Sequence, residues 1–304
     1  VVFDGNFDNS RLDVKDLLYF LPKLKDKPFF VKNKNLSLDW SGHILGKPNN
    51  FIGNDISIKI GNRLSLDGTM SIKNIQDIDN ALVNFNIKNL NSSVQLLRDI
   101  IPNFNAPPNF DKLGKFNFQG KFNGFIKDFV AYGKLNSDIG QAEMDMRLDL
   151  KQGTNNASYS GEMSLVNFDL QKWTDNPNFG KINFYTQVSE GKGLTGANAE
   201  ADLTARVNSL ELKGYAYEDF VIDGKIKNNN FDGSFTIHDP NLDVVFNGQV
   251  DLTQKTPFFN FNSKINNLDL TALNLSKTPL RFNGDFDINM LASSIDDLTG
   301  TIAG

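Results

Sequence analysis

Two histidines, His43 and His238, are the only imidazoles in this chain of 304 residues, and no cysteine accompanies them. An imidazole works as a base or a metal ligand only in company, and each of these sits in a strand-like or turn context with no second His nearby. Without cysteine, disulfides and thiolate metal sites are ruled out. The stretch "GKGLTG" at 191–196 spells a glycine loop of the kind that cradles a dinucleotide pyrophosphate. That loop must open a helix after a strand. Here "ANAEADLTARV" follows, and its second half alternates as a strand, so the glycines read as a turn. Asp296 with Asp297, and Asp285 with Asp287, read as solvated strand-face carboxylates, too sparse for a Ca²⁺ loop. No nucleophile elbow, P-loop or acid–base constellation is present. The chain reads as a non-enzyme, with no catalytic residue, no cofactor site and no metal site.

What does recur is a structural motif, apolar-x-Gly-x-apolar. "LRFNGDFDINM" (280–290) alternates apolar and polar residues as a half-buried strand does, yet puts Gly284 at the centre of the apolar row. The same pattern stands at Phe3/Gly5/Phe7, Trp40/Gly42/Ile44, Leu66/Gly68/Met70, Phe118/Gly120/Phe122 and Ala131/Gly133/Leu135. It returns at Tyr159/Gly161/Met163, Leu212/Gly214/Ala216, Ile222/Gly224/Ile226, Phe231/Gly233/Phe235, Phe246/Gly248/Val250 and Leu298/Gly300/Ile302. Glycine weakens a strand, so repeated placement on the apolar face needs a cause. A sheet that curls toward its apolar face crowds the side chains there, and glycines relieve the crowding. Gly68, Gly120, Gly161, Gly224, Gly233, Gly248 and Gly284 are therefore the expected bending points.

The wall of the expected trough follows from the same parity. Leu64, Leu66, Met70 and Ile72 share one face of "NRLSLDGTMSIK", and Met144, Met146 and Leu148 share one face of "AEMDMRLDLK". Phe118 and Phe122 flank Gly120. Further along, Phe231, Phe235, Phe246, Val250, Phe282, Phe286 and Ile288 complete the candidate lining. The expected fold is all-β with a few short helices: a long, curved, mostly antiparallel meander forming an elongated open groove with an apolar concave face. About 17 strands at ~4.8 Å spacing give a sheet roughly 80 Å long, and open sheets that wide normally curl or split. The strands are expected near 35–44, 54–60, 62–73, 82–89, 114–122, 128–137, 140–151, 156–167, 180–189, 199–208, 209–217, 219–228, 230–238, 242–252, 257–266, 280–290 and 296–303.

Four segments punctuate the strands with an apolar-Asp/Asn start, a short helix-like stretch and a proline. They begin at Leu12, Leu90, Phe168 and Leu268 and end at Pro22, Pro102, Pro177 and Pro279. The Asp or Asn reads as an N-cap and the proline as a stop. Their starts lie 78, 78 and 100 residues apart, which divides one elongated array into units 1–89, 90–167, 168–267 and a partial 268–304.

Composition narrows the partners. Net charge is −5, against the basic face that phosphate binding needs, which argues against nucleic acid as a partner and against electrostatic docking on anionic headgroups. No apolar run approaches a membrane-spanning helix. Two other readings of the apolar face stand beside the trough. It could be the core of a sandwich. It could also be the lipid-facing side of a transmembrane barrel, although such barrels carry Trp and Tyr girdles and this chain has 2 Trp and 6 Tyr against 26 Phe.

Long amphipathic meanders, FxGxF strands and capped helices ended by proline together resemble the AsmA/TamB superfamily. The resemblance is carried most by "KFNGFIKDFVAYGKL" (121–135), "YEDFVIDGKIKNNNFDGSFTIHDPNLDVVFNGQVDL" (217–252) and "DLTGTIAG" (297–304). It implies a segment of a longer periplasm-spanning protein of a Gram-negative envelope, anchored in the inner membrane outside this segment. Its taco-like groove would shield acyl chains and conduct phospholipid between the membranes. It also implies an Omp85-type, TamA-like outer-membrane barrel as partner, and hence the alternative of a scaffold for outer-membrane protein assembly.

Overall fold

A computed structural model describes residues 2–20, 22, 25–26, 28–100, 106–194, 197–294 and 297–304. Pro102, Thr195, Gly196 and Asp296 lie outside the described residues. The chain is all-β, with antiparallel strands and, among the described residues, four short α-helices, and it divides into two units, Val1–Asp145 and Met146–Gly304.

The first unit holds β1 (Phe3–Asp13), β2 (Ser37–Lys47), β3 (Asn50–Ile60), β4 (Leu64–Lys73), β5 (Leu82–Ser93), β6 (Lys115–Phe125) and β7 (Asp128–Ser137). Each pairs antiparallel with the next, a meander whose order in space is its order in sequence. The unit boundary falls inside β8 (Gly140–Asp149). The second unit runs β9 (Ser158–Asp169), β10 (Phe179–Lys192), β11 (Glu200–Leu212), β12 (Tyr215–Lys227), β13 (Asn230–Asp239), β14 (Leu242–Asp251), β15 (Phe258–Asp269), β16 (Arg281–Ser294) and β17 (Asp297–Ala303). It too is a sequential antiparallel ladder. Among the described residues no pairing closes either ladder on itself; both are open.

Seventeen strands match the expected number, but through two errors that cancel. β1 is not among the expected strands although Phe3/Gly5/Phe7 carries the strand motif, and it pairs with β2 from Asp13↔Ser37 onward, across the segment that holds α1 and α2. Conversely, 209–217 is not a separate strand. β11 and β12 both break alternation at the same level: Val207 faces Phe220 and Leu210 faces Tyr217, with Asp219 at φ +51 between. The turn lies instead at Lys213–Gly214, φ +51 and +77, so Gly214 is a turn glycine and not a strand one.

The punctuating segments become α1 (Val14–Phe20), α3 (Val94–Ile100) and α4 (Leu170–Thr174), while α2 (Pro28–Lys32) is an addition. The fourth segment is a hydrogen-bonded turn over 270–276. Asp169 caps as expected, accepting from the Lys172 N–H at 3.0 Å. Asp269 does likewise, from Thr271 and Ala272 N–H at 3.1 and 3.0 Å. The Ala272 bond first, then Arg281, holds its carboxyl below the usual carboxylate range. Asn91 does not cap α3; Ser93 Oγ accepts from Leu96 N–H at 3.3 Å instead.

These segments supply the cores. In the first unit α3 lays buried Leu96 against Ile60 and Leu64, ringed by Leu36, Leu38, Ile58, Leu66 and Leu90. In the second, Leu273 from the 270–276 turn is fully buried among Val207, Tyr217, Phe220, Ile237, Val244 and Ile265. Burying such a side chain is worth about 1.5–3 kcal/mol.

Candidate functional site

Cross-strand partners on one face of each ladder are mostly apolar, with Ser92 in the first unit and Thr186 and Ser263 in the second as buried polar exceptions. In the second unit they line up in rows. One row runs Gly161–Val188–Leu203–Gly224–Gly233–Gly248–Phe261–Ile288–Ile302. The row beside it reads Ala205–Ile222–Phe235–Phe246–Ser263–Phe286, and on the other side stand Ile226–Phe231–Val250–Phe259–Met290. The opposite face carries Asp202, Asp223, Lys225, Asp232, Gln249 and Asn260, with Lys225 Nζ 3.1 Å from Asp202 and Lys227 Nζ 3.3 Å from Glu200.

Of three glycines on adjacent strands, Gly224, Gly233 and Gly248, the last two border a hollow of about 440 Å³ on the apolar face. Phe231, Phe235, Phe246 and Val250, all expected lining residues, border it. So do Ile222 and Ile226, read in the sequence as the apolar flanks of Gly224 but not as lining, and Leu203, Phe259 and Phe261, which sequence parity alone did not single out. Strand pairing, not composition, brings them there. No side chain in this wall carries a hydrogen-bonding group. A continuous run of rings forms one side: Phe220 to Phe235 at 5.7 Å between centroids, Phe235 to Phe246 at 6.1 Å, and Phe246 to Phe261 at 4.9 Å. The first and last of these pairs meet edge to face and the middle one is stacked, and ring packing of this kind adds to the area term.

The glycines work differently from simple bending points. Gly248 and Gly284 do adopt φ of +153° and +141°, a backbone region reserved for glycine, as does Gly161. Gly68, Gly120, Gly224 and Gly233 do not. There the cause is close approach. A Cβ on Gly224 would stand 2.5 Å from the Asp232 carbonyl and 2.8 Å from the Phe231 ring, which lies across the Gly224–Gly233 pair. Phe118 covers the Gly120–Gly133 pair in the first unit in the same way, and Phe286 lies against Gly284. An aromatic ring laid over a strand glycine restores the packing that the glycine gave up.

In the first unit the corresponding row is self-filled. Ile56–Gly68–Ile87–Gly120–Gly133 alternates large and small, and Ile56 Cδ1 stands 2.6 Å from where a Cβ on Gly42 would be. Leu64, Leu66, Met70, Ile72, Phe118 and Phe122 share the apolar face as expected. The cavities here lie elsewhere. One, of about 390 Å³, is bordered chiefly by outward side chains such as Asn54, Thr69, Asn84 and Asn86. The other, of about 730 Å³, sits at the strand ends beside α3. Met144, Met146 and Leu148 alternate as half-buried residues along β8 with exposed Asp145 and Arg147 between them. Phe282 is among the exposed apolar residues, while Phe286 and Ile288 are half-buried.

Polar groups on the apolar side are few. Burial pushes the Tyr217 phenol up to about 12. Burial, then the Asp239 carboxylate to which its hydroxyl donates at 2.5 Å, also raises Tyr215. Ser263 is 3% exposed between Phe246 and Phe286, and its hydroxyl has no hydrogen-bond partner. The residues first weighed for chemistry lie off this face. His43 pairs with Asp4 at 2.6 Å and His238 with Asp243 at 2.9 Å, both across strands. Asp287 accepts from Asn262. Gly191 and Lys192 end β10, and Gly193 and Leu194 bond back to Ala157 and Thr154 carbonyls at 2.8 and 3.0 Å. Among the described residues, no three His, Asp or Glu side chains cluster to hold a metal ion, and no helix is long and apolar enough to cross a membrane.

No family model matches this chain, and neither a curated protein nor a solved structure does.

Proposed function

We propose that the chain is a non-catalytic segment of a TamB/AsmA-like protein of the Gram-negative envelope, whose apolar β-face shields the acyl chains of phospholipid in transit between the inner and outer membranes. In this reading the protein spans the periplasm, an inner-membrane anchor lies outside this segment, and an Omp85-type barrel is the outer-membrane partner. The observation that carries the proposal is the open hollow on the apolar face of the second unit, lined by hydrocarbon side chains alone. Each methylene withdrawn from water there gains about 0.8 kcal/mol, while headgroups stay in solvent. Mass spectrometry of lipids retained by the purified chain tests it: co-purifying phospholipid is expected, and a lipid-free chain from lipid-replete cells overturns it.

A second reading, a scaffold for outer-membrane protein assembly, draws support from β17. It pairs with β16 as the last strand of the second unit, and Ile302 on it is 58% exposed. Such an edge accepts an added strand. Co-purification of unfolded barrel proteins without lipid favours this reading over the first.

A further inference from the structure

We infer that the hollow over Gly233 and Gly248 is a discrete seat for one linear acyl chain, so that the apolar face holds its guest at a fixed place and not uniformly along its length. The inference rests on the lipid-shielding reading and adds a location, a shape and a stoichiometry to it.

Shape comes from the register. Between Leu203 on β11 and Phe261 on β15 the row contains only glycines, a gap of four strand steps, roughly 19 Å at ~4.8 Å each. The gap is a slot running across the strands. The Phe231 ring covers the Gly224–Gly233 pair, and the slot opens beside that ring and over Gly248. Ile222, Phe235 and Phe246 wall it on the side of the Leu273-plugged core, and Phe231, Val250 and Phe259 on the other. A slot closed at both ends by Leu203 and Phe261 admits a narrow, flexible molecule lying along it, not a flat fused-ring one.

Chemistry comes from the wall. With no donor or acceptor among its side chains, the slot offers nothing to a charged or hydrogen-bonding guest, and a polar one would lose its water bonds without replacement. A volume of about 440 Å³ falls within the range of small-molecule sites, below what a folded partner would need. The first unit is the internal control. Its matching row is filled by Ile56, Ile87 and the Phe118 ring, and its cavities lie at the strand ends and toward the polar side.

The test uses 11-(dansylamino)undecanoic acid as a fluorescent probe on the purified chain, with circular dichroism to verify each variant's fold. Saturation at one probe per chain is expected. Val250→Phe and Leu203→Phe, which fill the slot, should weaken binding at least tenfold, while Ile72→Phe in the first unit should change it less than twofold. Equal weakening by Ile72→Phe, or unchanged binding with a folded Val250→Phe, overturns the seat. As a check free of mutations, a diazirine-bearing dodecanoic acid should label peptides within 203–261 of the wild-type chain and not those within 51–87; the reverse pattern also overturns it. If the wild-type chain binds neither probe, the lipid-shielding reading itself fails, a result distinct from binding at the wrong place.

Discussion

The two units solve one problem with opposite results. Both run a row of glycines across the apolar face of a meander, and both lay a phenylalanine over a facing glycine pair, Phe118 on Gly120–Gly133 and Phe231 on Gly224–Gly233. In the first unit isoleucines alternate with the glycines, and large fills the space left by small. In the second, three glycines fall side by side, and although the Phe231 ring covers two of them a hollow remains beside it over Gly233 and Gly248. A row of glycines thus either knits a face together or opens it, depending on the residue that strand pairing puts next to each.

The largest break in this comparison should come from the plugs. Leu273→Ala, at a fully buried position enclosed by the second unit's core, is expected to cost about 4 kcal/mol, whereas Leu96→Ala in the first, with a smaller cluster around it, should cost about 2 kcal/mol. Urea unfolding with a probe in each unit reads both; equal losses would mean the two plugs carry the same load. Next in size are the covered glycine pairs. Gly224→Ala and Gly120→Ala each drive a Cβ into a carbonyl of the neighbouring strand and should each lose about 2 kcal/mol. If only one of them destabilises, the shared device is not shared.

Smaller effects sharpen the account of the second unit. Ser263→Ala removes a buried hydroxyl with no partner and should stabilise by about 1 kcal/mol in thermal unfolding. Destabilisation would mean that the hydroxyl is in use. The smallest effect at ordinary pH belongs to Tyr217. Its folded-state value is raised to about 12, against about 10 in an unfolded chain, so the folded state holds the proton more tightly. That contribution is complete below about pH 10 and is lost as pH climbs toward 12. Tyr217→Phe should flatten this alkaline loss, measured by urea unfolding across that window.

Strict alternation made the apolar face legible in the sequence, and the glycines on it were visible as a pattern. Their effect was not, because it depends on register, and register is a property of pairs. Nothing in "FDGSFTI" or "VVFNGQV" says that Gly233 and Gly248 stand opposite one another. The Asp169 and Asp269 caps were readable because capping is local, whereas Ser93 displaced Asn91 where β5 ran two residues further than its apolar pattern. Leu273 was unreadable for a related reason: its turn is held by Asn274 donating to the Lys213 carbonyl at 3.1 Å, a contact 61 residues apart. β1 carried the motif at Phe3/Gly5/Phe7 but was not counted as a strand, and its alternation is interrupted where the register with β2 shifts between Phe7 and Ser10.

The central claim is that the apolar face is available to lipid. Photocrosslinking amino acids placed singly at Phe246 and at Lys227, on opposite faces of the second unit, test it most directly in living Gram-negative cells. The account predicts phospholipid adducts at Phe246 and none at Lys227. Equal labelling at the two positions, or none at Phe246, would contradict it.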